Sequence, residues 1–176
     1  MSHQKAGKYA CYEFERKFFL NELPSSLNDS QEYKEIEDKY FLGTNLRLRI
    51  IRNPAGEITD RKFTQKYVPA KSTFSKTIIT NMYILKNDAD FFSQIPGAKI
   101  LKRRYKYIYG KYIFTIDQFL KPIADLILAE IEFENEQEME NFVPPLDWQE
   151  VTEKKEYSGG HIALSGNRKG VNNIED

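Results

Sequence analysis

The chain has 176 residues, a length that points to one domain able to bury a sizeable core. Apolar residues make up 40% of it and aromatic residues 14%, a balance that suits a β-rich globular protein and excludes a disordered one. The 26 basic and 26 acidic residues cancel, which argues against a general nucleic-acid binder but not against local patches of one sign.

The N-terminus, "MSHQKAGKY", has no apolar core of a signal peptide, and no apolar run is long enough to span a membrane, so a cytoplasmic protein is expected. Cys11 is the single cysteine, which rules out an internal disulfide or a multi-cysteine metal site.

The first strand is predicted over "CYEFERKFFL", where Glu13, Glu15 and Lys17 alternate with Tyr12, Phe14, Arg16 and Phe18. "YKEIEDKYFL", 33 to 42, has the charge density of a helix, but Ile36, Asp38, Tyr40 and Leu42 share one strand face, and it is read as a strand. "NLRLRII" sets Arg47 and Arg49 opposite Leu46, Leu48 and Ile50. After a turn at Asn53-Pro54-Ala55-Gly56, "DRKFTQKYV" puts Lys62, Thr64 and Lys66 on one face, and "SKTIITNMYIL" is rich in β-branched residues.

A helix follows over Asp88 to Ile95, capped by Asn87 or Asp88. "AKILKRRYKYIY" aligns Lys102, Arg104 and Lys106 and leads through Tyr109-Gly110 into "KYIFTIDQFL". "ADLILAEIEFE" then sets Glu130, Glu132 and Glu134 against Ile127, Ala129, Ile131 and Phe133. A second helix covers roughly Glu136 to Phe142 and stops at Pro144-Pro145. His161 follows Gly159-Gly160 in an expected turn, and the last ten residues, "NRKGVNNIED", read as a frayed tail. No linker or repeat divides the chain, so one domain is expected over 1–176, with its core at about 9–165.

Most alternating strands turn their polar face to water. Here, however, single strands carry like charges at i and i+2, which repel and cost stability without a counter-charge or ligand. A closed barrel would turn these faces inward, giving a lumen with separate acidic and basic patches. Such a lumen suits a highly charged anion with metal ions. Guanidinium and ammonium groups clamp phosphate oxygens, and carboxylates hold hard cations such as Mg²⁺ or Mn²⁺.

Glu13-x-Glu15-x-Lys17 resembles the ExExK signature of the CYTH, or triphosphate tunnel metalloenzyme, family. "LRLRI" is similar to its paired-arginine strand, "FTQK" to the strand bearing its lysine, and "LKRRYKY" to its K-x-R-x-x-Y block, which ends here at Tyr107. "FTIDQF", "LAEIEFE" and "EVTEKKEYS" resemble its aspartate strand, late A-E-x-E strand and closing segment, so the resemblance spans about 12–165. It implies an α+β fold: a closed eight-stranded antiparallel β-barrel with helices packed outside. By the same resemblance Glu13, Glu15, Glu130 and Glu132 are metal-site candidates, with Asp117, for Mg²⁺ or Mn²⁺. Lys17, Arg47, Arg49, Lys66, Lys102 and Arg104 become phosphate contacts, joined by Lys155 of the closing segment.

Two features depart from the family pattern. An R-x-E pair in the central strand is replaced by Lys76 and Ile78, and the closing Y-x-N by Tyr157-Ser158-Gly159, preceded by Glu156. The implied activity is hydrolysis of a triphosphate, first of all inorganic tripolyphosphate, since no residue demands an organic group. The alternatives are a thiamine triphosphatase, a class IV adenylate cyclase or a non-catalytic polyphosphate- or nucleotide-binding module. Trp148 could stack on a base but is read as an outer packing residue. An RNA-binding surface on "KRRYKYIYGKYIF" fits the neutral overall charge poorly, and no nucleic-acid or membrane partner is expected.

Overall fold

Alternation over the whole first half of the chain needs a sheet whose two faces see different surroundings, and the structure supplies one by closing it. The structure is a computed structural model that describes residues 4–27, 32–144 and 148–171, with side chains through 165. The strands are β1 (Cys11–Leu20), β2 (Tyr33–Phe41), β3 (Leu46–Arg52), β4 (Ile58–Tyr67), β5 (Lys76–Tyr83), β6 (Gly97–Tyr109), β7 (Tyr112–Lys121) and β8 (Ile127–Phe133). They pair antiparallel in the order β5-β4-β3-β2-β6-β7-β8-β1, and β1 returns to β5 to close an eight-stranded barrel. The ambiguous segment 33–42 is strand β2, between β3 and β6.

Closure is divided along one strand. The β1 edge pairs with β5 only from Cys11 to Phe14. Beyond it, the two-residue β9 (Gln149–Glu150) takes over against Phe18 and Phe19, and Val151 N–H donates to the Lys17 carbonyl at 2.8 Å. Glu153 ties the neighbouring loop down by accepting from the backbone N–H of Phe74 (2.8 Å) and Ser75 (3.1 Å).

Outside the barrel, the apolar faces of β1, β7 and β8 carry Phe14, Phe18, Phe114, Ile116, Ile131 and Phe133. Phe142, Trp148 and Met139 of α2 (Glu136–Glu140) cover them, so Trp148 is the outer packing residue expected of it. On the far side α1 (Lys86–Gln94) lays Ala89 and Phe92 over Phe41, Leu48 and Phe63. Burial of large apolar side chains at about 1.5–3 kcal/mol each is what forces the charged alternate faces into the lumen.

One end of the interior is apolar. Ala98, Ile100, Phe119 and Leu128 meet Ile162 and Ala163 of α3 (Gly159–Val171), which follows a 3₁₀ turn at Lys155–Tyr157. His161 therefore lies in a helix rather than a turn, and the expected tail is helical through Val171, with 172–176 outside the described residues. Four glycines between 159 and 170 disfavour a helix locally, and burial of Ile162 and Ala163 overrides that. Gly159 permits the close approach, because a Cβ there would stand 2.0 Å from the Tyr40 hydroxyl.

Candidate functional site

The lumen is a cavity of about 650 Å³, open to solvent, and the strand periodicity decides what lines it. Glu13, Glu15 and Lys17 of β1 project into it, as do Arg47 and Arg49 of β3, Lys66 of β4, Lys102 and Arg104 of β6, and Glu130 and Glu132 of β8. All but two of the predicted site residues thus converge on one cavity. Lys155 is exposed and off the wall, where Lys154 stands instead. Asp117 is fully buried behind the wall.

Two buried aspartates organise the cations. Asp38 receives Arg49 through two hydrogen bonds of 2.7 Å and has Arg47 Nε at 3.6 Å. Asp117 accepts from Arg104 at 2.7 and 2.6 Å and from Lys102 at 2.5 Å. With both oxygens engaged by cations, Asp117 serves in this structure as an anchor for basic residues rather than as an open metal ligand. Burial would raise both carboxyls, but the adjacent cations outweigh it and hold them below the usual range. Sequence reading placed Asp38 on a face with Ile36 and Tyr40 without giving it a role. Its signal was the register, since Asp38 sits directly opposite Arg49.

The remaining charges form a chain across the wall. Arg104 reaches Glu130 at 3.2 Å, and Glu130 meets Lys17 at 3.1 Å, its partner across the β1–β8 ladder. Burial is outweighed at Glu130 by Lys17, Lys102 and Arg104, which hold it well below the carboxylate range. Lys66 binds Glu13 and also Glu15, the latter at 3.0 Å. Burial disfavours charge on Lys66, yet these carboxylates raise it above the ordinary lysine range, and Lys66 in turn lowers Glu13. Lys102 behaves differently: burial, with Arg104 and Arg49 nearby, outweighs Asp117 and pushes it down to about 8.

Among the described residues of the lumen, two groups are left with unmet charge or hydrogen bonding. Arg47 Nε is buried with no hydrogen-bond partner among the described residues. Glu132, at the more exposed end of the lumen, faces Glu15 across the ladder and has no cation partner among the described residues. Burial and the charges of Glu13, Glu130 and Glu15 raise its pKa above the usual value.

These observations bear on a divalent ion. Clustered carboxylates with one lacking a counter-charge are the donor set a hard cation prefers, so Glu13, Glu15 and Glu132 fit Mg²⁺ or Mn²⁺ in kind. Among the described residues, no three such groups are already gathered for ligation, because Lys66 occupies Glu13 and Glu15.

The wall of β5, with Thr64 of β4, carries no charge. Thr64 donates to Asn81 at 2.7 Å, and Thr77 lies 3.4 Å from Glu13. On β5 the inward residues are Thr77, Ile79 and Asn81, whereas Lys76 points outward to Glu136. The sequence comparison at Lys76 and Ile78 was therefore made on the outer face, and the inner face also offers no carboxylate.

No profile of a described protein family matches the chain. Over 75 residues it is 37% identical to the inorganic triphosphatase of Nitrosomonas europaea, a match covering 39% of this chain and 47% of that protein. It thus spans about half the length of that curated relative. The fold is similar to the crystal structure of the inorganic triphosphatase NE1496, with a TM-score of 0.55 and 24% identity over 86% of this chain and 94% of that one. It is also similar to the PH1819 protein of Pyrococcus horikoshii, with a TM-score of 0.51 and 19% identity over 73% of this chain and 82% of that one. Both structural likenesses concern the barrel fold.

Proposed function

We propose that this chain belongs to the CYTH or triphosphate tunnel family and is a metal-dependent triphosphatase that cleaves the terminal phosphoanhydride of inorganic tripolyphosphate inside the barrel. The observation that carries the reading is the convergence of seven cations from four strands, Lys62 among them, on one cavity that also holds four glutamates. Phosphoryl transfer needs positioning and charge neutralisation more than covalent chemistry, and this lumen offers both.

Arg47 and Arg49 supply guanidinium donors that can engage two oxygens of a phosphate. Lys17, Lys66 and Arg104 add neutralising charge from β1, β4 and β6. Asp38 and Asp117 fix the side chains of Arg49, Arg104 and Lys102, so little rotamer entropy remains to be lost on binding. Glu13, Glu15 and Glu132 would hold Mg²⁺ or Mn²⁺, which when bound supplies Lewis acidity and a water activated for attack.

The test is phosphate release from tripolyphosphate, thiamine triphosphate and ATP with Mg²⁺, Mn²⁺ or EDTA, beside a Glu13→Gln/Glu15→Gln variant, with ATP reactions analysed for cyclic AMP. Metal-dependent release from tripolyphosphate that disappears in the variant supports the reading. The second reading, an anion-binding module without turnover, is favoured by the Lys66 contacts that occupy two of the glutamates. Polyphosphate binding in EDTA with no turnover of any substrate would select it.

A further inference from the structure

A second concave site lies outside the barrel, in a groove between α1 and the outer faces of β2, β3, β4 and β6. We propose that it binds a small inorganic phosphate-type anion, independently of what the tunnel does. Its volume is about 220 Å³, below the roughly 300–1,000 Å³ typical of sites for drug-sized ligands, which suits one or two phosphate groups rather than a nucleotide.

The charge balance of the groove points to an anion. Lys39, Arg52, Arg61, Lys86 and Lys99 line it, against Glu37 and Asp90. Both carboxylates are already engaged. Glu37 holds Lys99 at 2.8 Å and Arg52 at 3.3 Å, and Asp90 holds Lys86 at 2.6 Å. Lys39 and Arg61 have no carboxylate partner among the described residues.

Lys39 is the more telling of the two. Its residue is only 9% exposed, and its ammonium donates to the Ser93 carbonyl at 2.6 Å. Its stem rests on Gly97, where a Cβ would come within 3.1 Å of the lysine side chain. The cation is thus fixed in place with donor capacity to spare. A purely structural role exists, because the last turn of α1 has no basic residue of its own and Lys39 supplies a cation beside its carbonyls. That role uses the Ser93 contact and leaves Arg61, beyond β3 on β4, unexplained. An anion bridging Lys39 and Arg61, with Lys99 at the rim, satisfies both.

The experiment follows the side-chain Nε–H signals of arginine in ¹⁵N-labelled protein during titration with inorganic phosphate, without divalent metal and at constant ionic strength. The expected result is saturable movement of the Arg61 and Arg52 signals. In Arg61→Ala, the Arg52 response should need about tenfold more phosphate, the worth of one charge-assisted contact, while the Arg104 signal in the tunnel responds as before. A melting curve equal to that of the parent protein shows that the variant folds. The proposal is overturned if Arg61 and Arg52 do not move, or if sodium chloride moves them equally. It is overturned too if their response disappears in Arg104→Ala, since that would make it a relay from the tunnel.

Discussion

Glu15 and Glu132 stand directly opposite each other across the β1–β8 ladder, two carboxylates where a sheet ordinarily places an opposite pair. Lys66 relieves Glu15, whereas Glu132 has no such partner among the described residues. Replacing Glu132 by Gln should therefore stabilise the metal-free protein, by a few tenths of a kcal/mol given the partial exposure of the site. Urea unfolding in EDTA checks this. In saturating Mg²⁺ the gain should vanish or reverse, because the same substitution removes an oxygen donor.

Lys66 occupies the glutamates that a divalent ion would use. Exchange of Lys66 for Gln should tighten Mn²⁺ binding by about tenfold and weaken tripolyphosphate binding by a similar factor, each the worth of one charge-assisted contact. Calorimetric titrations with each ligand separately give the two numbers. Movement of both in the same direction would contradict competition between lysine and metal.

Stability should fall steeply in acid. Asp38, Asp117, Glu13 and Glu130 all have carboxyls held below their ordinary range in the folded protein. Below about pH 4 the unfolded chain takes up protons that the folded one refuses, and the equilibrium shifts toward unfolding. Glu132 acts in the opposite sense, since its raised pKa lets the folded state bind a proton first, so Glu132→Gln should sharpen the acid transition. Lys102 gives a separate alkaline limb. Between about 8 and the ordinary lysine value the unfolded chain binds the extra proton, so stability should rise with pH there. Chemical denaturation from pH 3 to 10, with and without the substitution, follows all three effects.

Gly159 meets Tyr40 where no side chain fits. Gly159→Ala should cost about 1–3 kcal/mol as α3 is pushed off the barrel end. Tyr40→Leu in the same chain should recover part of that loss, and a double-mutant cycle with a coupling near zero would refute the contact as the cause.

Much of the barrel was legible because its strands carry opposite chemistry on their two faces. β1, β3 and β8 show this plainly, and their charged faces do line the cavity. β5 was legible as a strand but not in its orientation. Thr77, Ile79 and Asn81 differ little from Lys76, Ile78 and Thr80 in polarity, and only pairing of Thr77 with Glu13 decides which set faces inward. The same limit applies to Asp38 and Asp117, whose contacts depend on the register of the β2–β3 and β6–β7 pairs. α3 was hidden by its glycines, and the exchange of Lys154 for Lys155 follows from a one-residue offset at the 3₁₀ turn.

The divided edge of β1 also bears on the order of assembly. Strands β2 to β4 and β6 to β8 can zip from neighbour to neighbour as hairpins, each contact closing a short loop. β1 must wait for β8 and for the 149–151 segment, each more than a hundred residues along the chain, before its outer aromatics Phe14 and Phe18 are covered. Loop closure over that distance is slow. During synthesis the most aromatic strand is thus the one left longest without a partner, which makes it the segment most in need of a chaperone and the natural starting point of misassembly.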